Sequence, residues 1–356
     1  MKRSVTLGLL YSTTGSYARI GQACLTGAQA AIARINADPA RSLTLTAVTR
    51  DPGGNIDLYA PMCADILQGT PARHIIGCVT SWSRKEVIPT LEKHGGSLWY
   101  AVPYEGFEAS DHVVYLHACP NQHLLPLLDW ALPTHGGAAY LTGSNYIWGW
   151  EMNRLARERI TAAGGRVTGE RYLPLGSVDI ARMIEEVEAT APDFILNSLI
   201  GPSSYAFLRA YAALGERNAR FRPDRCPVLS CNLTECELPE IGAAAEGLIA
   251  AGPYFKTPGS AFGSSHEAAA WQAVHALADL MDAAPEAVAL ADLLDTPAGR
   301  ASGIDDRTHH TVQSALIARV RGGAFEVIAD HGQRMGDPYL TGPVPAPART
   351  SLRVVS

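Results

Sequence analysis

The sequence predicts an α/β protein of two lobes, each built on a parallel sheet. Its 356 residues exceed the size of one ordinary domain core. Short apolar runs, typical of buried strands, alternate with segments of helical spacing, and this alternation is typical of parallel sheets. It runs to about residue 119 and starts again near residue 137. Two lobes are therefore expected.

The first lobe opens with a strand over 5–10 and a helix over 15–36, in which small residues recur at helical spacing. Its other predicted elements are strand 43–49, helix 58–68, strand 74–79, helix 84–94, and strands 98–102 and 113–117. All of them fit one repeating β-loop-α pattern.

The second lobe is predicted from the same pattern. Its elements are helix 122–132, strand 137–141, helix 153–163, strand 165–173, helix 180–191, strand 193–198, helix 203–214, and strands 227–230 and 247–251. A later helix over 266–283 resembles the outer helices of the first lobe, so the chain is expected to cross back. Gly322-Gly323, between apolar runs at 315–319 and 325–328, predicts a hairpin.

These elements give the expected domain organisation. Residues 1–119 with about 254–312 form the N-terminal lobe, and 120–253 with about 313–340 form the C-terminal lobe. Residues 341–356 are proline-rich with little periodicity and are expected to be a surface strap or a frayed tail.

Composition excludes several partners. The net charge is -6, and acidic and basic residues are interspersed along the chain, so direct binding of nucleic acid is not expected. No run approaches the roughly 18 apolar residues of a membrane helix, so no membrane insertion is expected. The run 5–10 is short for a signal peptide and no cleavage site follows it. A cytoplasmic location is expected, or a periplasmic one if a leader was removed.

The seven cysteines form an odd set, mostly within apolar patterns, and indicate reduced thiols. Cys226, Cys231 and Cys236 recur at a spacing of five. Structural zinc sites prefer shorter pair spacings, so this spacing is interpreted as coincidence unless a fourth ligand converges. No metal and no cofactor are predicted.

Candidate ligand contacts lie where apolar strands end, because ligands of open parallel sheets bind at the carboxyl edge. Ser81 follows the third strand; helix capping alone and capping with ligand contact carry equal weight. Tyr100 ends a strand, and core packing is its alternative. Tyr146 and Trp148 follow in a loop rich in Gly, Ser and Asn, where a core ring would be unusual, so a site is favoured.

Other residues near the strand ends have structural interpretations of equal or greater weight. Asn232, Thr234 and Gly201 are placed to face the cleft, although Ser203 capping a helix explains the segment after Gly201 equally well. Asp51-Pro52-Gly53-Gly54 is interpreted as a tight turn. Trp150 is expected to pack on the helix that follows it. Glu105 and Glu108 are expected to be solvated, with pairing to a ligand ammonium group as the alternative.

An enzyme is not expected. None of the strand-end loops supplies a nucleophile with a base or a metal set, and no nucleotide-binding or nucleophile-elbow motif is present. His309 and His310 adjoin two aspartates, but adjacent residues of a strand point to opposite faces and do not share an ion.

The chain resembles the amide and urea branch of the type I periplasmic binding proteins. Members of this branch include the amide sensor that negatively regulates the aliphatic amidase operon and the urea-binding receptors of ABC transporters. The matching segments, in order, are Tyr11 to Gly15, Asp51 to Gly54, Gly77-Cys78 with Thr80-Ser81 and Ser83-Arg84-Lys85, Pro103 to Glu108, Pro120-Asn121-Gln122, Gly143-Ser144 with Tyr146, and Pro253-Tyr254-Phe255.

The resemblance implies two Rossmann-like lobes with parallel sheets, joined by a three-crossing hinge and closing on a small neutral solute. This sequence departs from the branch at several places. Val79 and Val102 stand where the amide sensor has hydroxyl residues, although urea receptors also have valine at the second place. After Ile147 the chain has Trp-Gly-Trp instead of the usual Pro-Arg, Asn145 replaces an acid, and the region 255–266 is shorter.

The expected function is a non-catalytic sensor of a small amide or urea-like solute that regulates amidase-type gene expression through a partner such as an antitermination factor. The alternative is a substrate-binding subunit of an ABC importer for urea, short-chain amides or branched amino acids, with a permease as partner. An amide hydrolase is a third, less favoured hypothesis, and a homodimer is allowed. The expected ligand-binding residues are Val79, Ser81, Tyr100, Val102, Pro103, Tyr146, Trp148, Gly201, Asn232 and Thr234.

Overall fold

A computed structural model describes residues 2–342 of the chain. The predicted tail therefore lies outside the described residues, apart from positions 341 and 342. No helix within 2–342 combines the length and the apolar character that crossing a membrane requires.

The first lobe is a five-stranded parallel sheet in the order β2-β1-β3-β4-β5. Its strands are β1 (Arg3–Leu10), β2 (Leu43–Arg50), β3 (His74–Gly77), β4 (Ser97–Tyr100) and β5 (Val113–Tyr115). The connecting helices are α1 (Ala18–Ala37), α2 (Tyr59–Gly69) and α3 (Ser81–His94). Because helices cover the faces of this sheet, β3, β4 and β5 are buried along their whole length.

The second lobe is a seven-stranded mixed sheet in the order β12-β11-β10-β9-β8-β6-β7, in which β11 runs antiparallel to both neighbours. Its first elements are α4 (Leu124–His135), β6 (Ala138–Ser144), α5 (Ile147–Ala162), β7 (Arg166–Leu173), α6 (Ala181–Thr190), β8 (Phe194–Ser198), α7 (Pro202–Arg217), β9 (Val228–Ser230), α8 (Leu238–Ile241) and β10 (Ile249–Gly252). The remaining elements of the chain are α9 (Ser265–Ala283), α10 (Leu290–Leu294), α11 (Pro297–Ala301), β11 (Val312–Arg321) and β12 (Ala324–Met335).

The two-lobe α/β fold expected from the sequence is confirmed. The hairpin expected at Gly322-Gly323 joins β11 to β12, and both glycines have the positive φ, 57° and 80°, that such turns require. After β10 the chain returns to the first lobe, where α9 packs along α1. The chain thus passes between the lobes three times in the described range: after β5, after β10 and before β11. The lobe boundaries given above remain our proposal.

Two helices begin earlier than expected. Helix α3 starts at Ser81, because Thr80 rather than Ser81 is its N-cap and forms a reciprocal capping box with Ser83. Helix α5 starts at Ile147, and Gly149 allows its first turn to lie against β6, since a Cβ at that position would stand 2.1 Å from the Ser144 carbonyl oxygen. Trp148 therefore lies in a helix and not in a loop.

Other local expectations were wrong. Trp150 does not pack on a helix; it is 45% exposed, and its indole N–H donates to the Asn145 side chain. Ser203 does not cap α7, whose N-cap residue is Gly201 without any side-chain bond. The interpretation of Asp51 as a turn residue agrees with the fold, because its carboxylate accepts the backbone N–H of Gly53 at 2.7 Å.

Helix α9 approaches α1 closely because α1 carries a glycine at the contact. A Cβ on Gly27 would stand 2.1 Å from the backbone oxygen of Glu267, near the first turn of α9. We expect Gly27→Ala to lower the free energy of unfolding by about 1–3 kcal/mol, since overpacking outweighs the gain in helix propensity. Calorimetric thermal unfolding measures this change.

The matched control is Gln29→Ala on the exposed side of the same helix. It should change the free energy of unfolding by no more than about 0.5 kcal/mol. Equal effects of the two substitutions would contradict the tight α1–α9 contact.

Candidate functional site

A cavity lies between the lobes at the carboxyl ends of their strands. Its lining residues are Ile20, Val79, Ser81, Tyr100, Val102, Pro103, Tyr146, Trp148, Ile200, Asn232 and His266. The free space is about 20 Å³, compared with the roughly 10–15 Å³ that one buried water needs. Both sheets thus deliver their strand ends to one small, enclosed space.

The first lobe contributes a wall of hydroxyl and ring groups. Because Thr80 caps α3, the Ser81 hydroxyl is free for another contact and donates to Glu105 at 2.8 Å. The Tyr100 hydroxyl donates to the Val79 backbone carbonyl at 3.0 Å. Both hydroxyls therefore have fixed directions at the edge of the cavity.

A buried ion pair supports this wall. Arg84 is fully buried and donates to Glu105 and to Glu108, each at 2.6 Å, while Lys85 also bonds Glu108. The guanidinium lies 4.8 Å from the centre of the Tyr100 ring. The expectation that both glutamates are solvated was wrong, because their partner stands more than twenty residues away in the sequence.

The second lobe contributes Tyr146 and Trp148, on either side of the start of α5. The Tyr146 ring packs against Trp82 of the first lobe, with ring centres 5.3 Å apart. Trp148 is buried, and its indole N–H has no hydrogen-bond partner among the described residues. A buried donor left in this way is costly unless a ligand accepts from it.

His266 is a cavity residue that the sequence did not reveal. It lies in the first turn of α9, is 1% exposed, and neither ring nitrogen has a hydrogen-bond partner within residues 2–342. Burial lowers the pKa of His266 to about 4, with a smaller opposing effect of the Asn232 backbone, which lies beside the ring. The imidazole is therefore neutral near pH 7 and offers one donor and one acceptor.

Of the ten residues expected at the site, eight line the cavity and two do not. Gly201 has φ 59°, and a Cβ there would stand 1.9 Å from the Ser16 backbone oxygen, so it serves the close approach of the two lobes. Thr234 caps the short turn Glu235–Glu237 in a capping box with Glu237. That the remaining eight contact a solute stays a prediction.

The site suits binding better than bond cleavage. Ser81 faces a carboxylate, but Arg84 neutralises that carboxylate through a direct bond. The serine of a hydrolase instead donates to a neutral histidine that serves as its base. Two α/β lobes with a small cavity between their strand ends define a protein of the cleft-binding class.

The family profile of the periplasmic binding protein domain matches residues 5–288. The chain belongs to this family, which agrees with the expectation of a binding protein rather than an enzyme. The type I periplasmic binding protein fold implied by the resemblance is thereby confirmed, while its amide and urea branch is not.

Solved structures share the fold over nearly the whole chain. A solute-binding protein of an ABC transporter from R. palustris, in complex with benzoate, is 16% identical with a TM-score of 0.80 and covers 94% of this chain and 98% of its own. An amino acid ABC transporter substrate-binding protein from Pseudomonas fluorescens is 18% identical, with a TM-score of 0.77 and coverages of 96% and 98%. A branched-chain amino acid transporter substrate-binding protein from Streptococcus pneumoniae, in complex with isoleucine, is 15% identical, with a TM-score of 0.72 and coverages of 94% and 100%.

The ion pair beneath the first-lobe wall predicts acid sensitivity. Burial alone would raise the pKa of Glu108, but Arg84 and Lys85 hold it at about 2. A depressed folded-state pKa contributes stability that is complete above the ordinary glutamate value and is lost as pH falls toward 2. We expect Glu108→Gln to be less stable than the wild type near neutral pH and to show a smaller loss of unfolding free energy on acidification.

Calorimetric thermal unfolding at about pH 7 and about pH 3 measures both effects. The exposed Glu92 of α3, the helix that carries Arg84 and Lys85, supplies the control variant Glu92→Gln, which should keep the wild-type pH dependence. If Glu108→Gln keeps it as well, the depressed pKa is refuted.

Proposed function

We propose that this protein is the substrate-binding subunit of an ABC importer and that its solute is small, polar and uncharged, such as urea or a short-chain amide. The observation that carries the proposal is the cavity itself. It is lined from both lobes, and its polar atoms include unpaired ones, but its lining residues carry no formal charge near pH 7.

Charge is the first argument for an uncharged solute. A carboxylate solute needs a cation or several free donors once it is removed from water. Arg84 does not line the cavity, and its guanidinium already bonds Glu105 and Glu108. The solved relatives described above hold benzoate and isoleucine, both of which carry a carboxylate group. In this chain the cavity lacks a lining cation for that group.

Hydrogen-bonding capacity is the second argument. The unpaired indole N–H of Trp148 can donate to a carbonyl oxygen, and the neutral His266 can form a further hydrogen bond with the solute through one ring nitrogen. An amide or a urea carries both a carbonyl acceptor and N–H donors. Such a solute would therefore satisfy groups that the protein leaves without partners.

Size is the third argument. A space of about 20 Å³ is little more than one buried water needs, so a solute of few heavy atoms requires less parting of the lobes than a larger one. A ring-bearing solute such as benzoate would hold the two lobes further apart. The resemblance to the amide and urea branch, which rests on motifs around the same strand ends, favours the same solute class.

The importer is favoured over the sensor because the chain belongs to the periplasmic binding protein family. An ABC permease is then the expected partner and the periplasm the expected location. One observation favours the cytoplasmic sensor as a second candidate: all seven cysteines are free thiols, which is typical of a reducing compartment. Separating periplasmic from cytoplasmic fractions of the native cell, followed by immunodetection, distinguishes these two candidates.

A ligand screen by thermal unfolding tests the solute class. A solute that binds only the folded protein raises the apparent melting temperature. We expect urea or a short-chain amide to raise it, and benzoate and isoleucine to leave it unchanged. The proposal fails if benzoate or isoleucine stabilises the protein while urea and the amides do not.

The role of the Trp148 indole is tested by Trp148→Phe, which keeps a ring in the wall and removes the N–H donor. Loss of one neutral hydrogen bond predicts a dissociation constant about 3- to 10-fold higher for the solute found in the screen. Isothermal titration calorimetry measures it. The control is Trp150→Phe, two residues further along the same helix at an exposed position, which should leave the affinity unchanged. Equal affinities of the two variants would exclude a ligand contact at Trp148.

A further inference from the structure

Three side chains with metal-binding atoms converge beside the cavity. The sulfur of Cys236, a carboxylate oxygen of Glu237 and a ring nitrogen of His266 all lie within 4.8 Å of one another. Glu237 and His266 are buried, and Cys236 is half-buried. They come from separate parts of the chain, since the first two lie in the turn Glu235–Glu237 after β9 and the third lies at the start of α9.

These groups also lack the partners that buried ionisable groups usually have. Neither nitrogen of His266 is hydrogen-bonded within the described residues. Glu237 accepts hydrogen bonds from the Tyr205 hydroxyl and from the Thr234 backbone N–H, but no ion pair of Glu237 occurs in residues 2–342. A buried carboxylate without a cation is unfavourable. A positive ion at this place would compensate it.

We propose that Cys236, Glu237 and His266 bind a divalent ion of the zinc class. A thiolate, an imidazole and a carboxylate are ligands that zinc accepts together, and a three-ligand site leaves its fourth position to water or another donor. A thiolate and a carboxylate balance the double charge of the ion, so the buried site is neutral. The distances of tetrahedral zinc place ligand atoms roughly 3.3–3.7 Å apart. Binding therefore draws the three groups together by about 1 Å.

The existing contacts of the cluster fit the outer shell of such a site. Each oxygen of Glu237 accepts one hydrogen bond and keeps a further lone pair, and these bonds hold the carboxylate in place. The Thr234 hydroxyl lies 3.3 Å from the sulfur of Cys236 and bonds it. The spacing of five between Cys226, Cys231 and Cys236 plays no part, because only Cys236 reaches the cluster.

The ion would join the two lobes. Cys236 and Glu237 follow β9 of the second sheet, whereas His266 belongs to α9, which packs on α1 of the first lobe. A shared ion then stabilises the closed arrangement around the cavity, independently of the solute. The chain thus carries a metal-dependent control over cleft closure.

The test uses the full chain without a polyhistidine tag, freed of metal by a chelator and studied without added solute, so that its outcome does not depend on the proposed function. Co²⁺ is titrated as the probe for the zinc class, and equilibrium dialysis with Zn²⁺ gives the stoichiometry. We expect one ion per chain and a thiolate-to-cobalt absorption band in the near ultraviolet.

Cys236→Ser removes the thiolate and should abolish the cobalt band, and His266→Asn should lower the cobalt affinity at least tenfold. Cys231→Ser is the control, since Cys231 is buried, lies five residues earlier and is outside the cluster. It should keep the wild-type band. Circular dichroism verifies that each variant folds, and Glu237→Gln replaces any variant that does not.

The proposal is overturned if the wild-type chain shows no thiolate-to-cobalt band, if the band persists in Cys236→Ser, or if zinc binds in more than one copy without saturation. An unchanged cobalt affinity in His266→Asn overturns its placement between the lobes, because His266 is the ligand of the three that the first lobe contributes.

Discussion

The buried guanidinium of Arg84 is the interaction on which the cleft depends. It joins α3 to the loop after β4 through Glu105 and Glu108, and it lies over the rings of Tyr100 and Tyr104. A charge removed from water in this way must be paired, because an uncompensated buried charge costs several kcal/mol. Two of the three guanidinium nitrogens of Arg84 are used by these carboxylates, and the third, Nη1, is buried and does not line the cavity. The same network therefore shapes the cleft wall and makes the cavity electrically neutral.

The polar groups of the cavity fall into two sets. The hydroxyls of Ser81 and Tyr100 are already directed toward protein acceptors. The indole of Trp148, from the second lobe, and the ring of His266, which α9 of the first lobe presents, keep unpaired polar atoms. One set is thus fixed in advance by the protein, and the other keeps the atoms that a solute can satisfy. This division preorganises the site without requiring any side chain to reorient on binding.

Much of this arrangement was readable from the sequence. The β-loop-α alternation predicted both sheets, and the rule that ligands meet the carboxyl edge of a parallel sheet selected Ser81, Tyr100 and Tyr146. Such predictions succeed because they rest on local spacing and on the geometry that all parallel sheets share. The glycine pair was equally informative, because Gly322 and Gly323 predict a turn whose positive φ angles are unfavourable for other residues.

What the sequence could not reveal depends on contacts between distant segments. His266 reaches the cavity because α9 crosses back to α1; the sequence predicted this crossing, but not that the first turn of α9 would lie beside the strand ends. The burial of Glu105 depends on Arg84, a partner in another element. Thr80 and Ser81 are both good caps, and only the register of α3 decides between them. The sequence pattern predicts where the strands end, whereas tertiary packing determines which residues of distant segments lie beside those ends.

The backbone contact between Gly201 and the Ser16 carbonyl limits how far the cleft can close. Main-chain atoms touch at this point, so the lobes cannot come closer whatever side chains surround the cavity. Exchanging a lining residue for a smaller one then enlarges the cavity and does not let the two sheets approach each other. The backbone contact between Gly201 and Ser16, and not the residues that recognise the solute, therefore sets the smallest solute that the pocket can hold firmly.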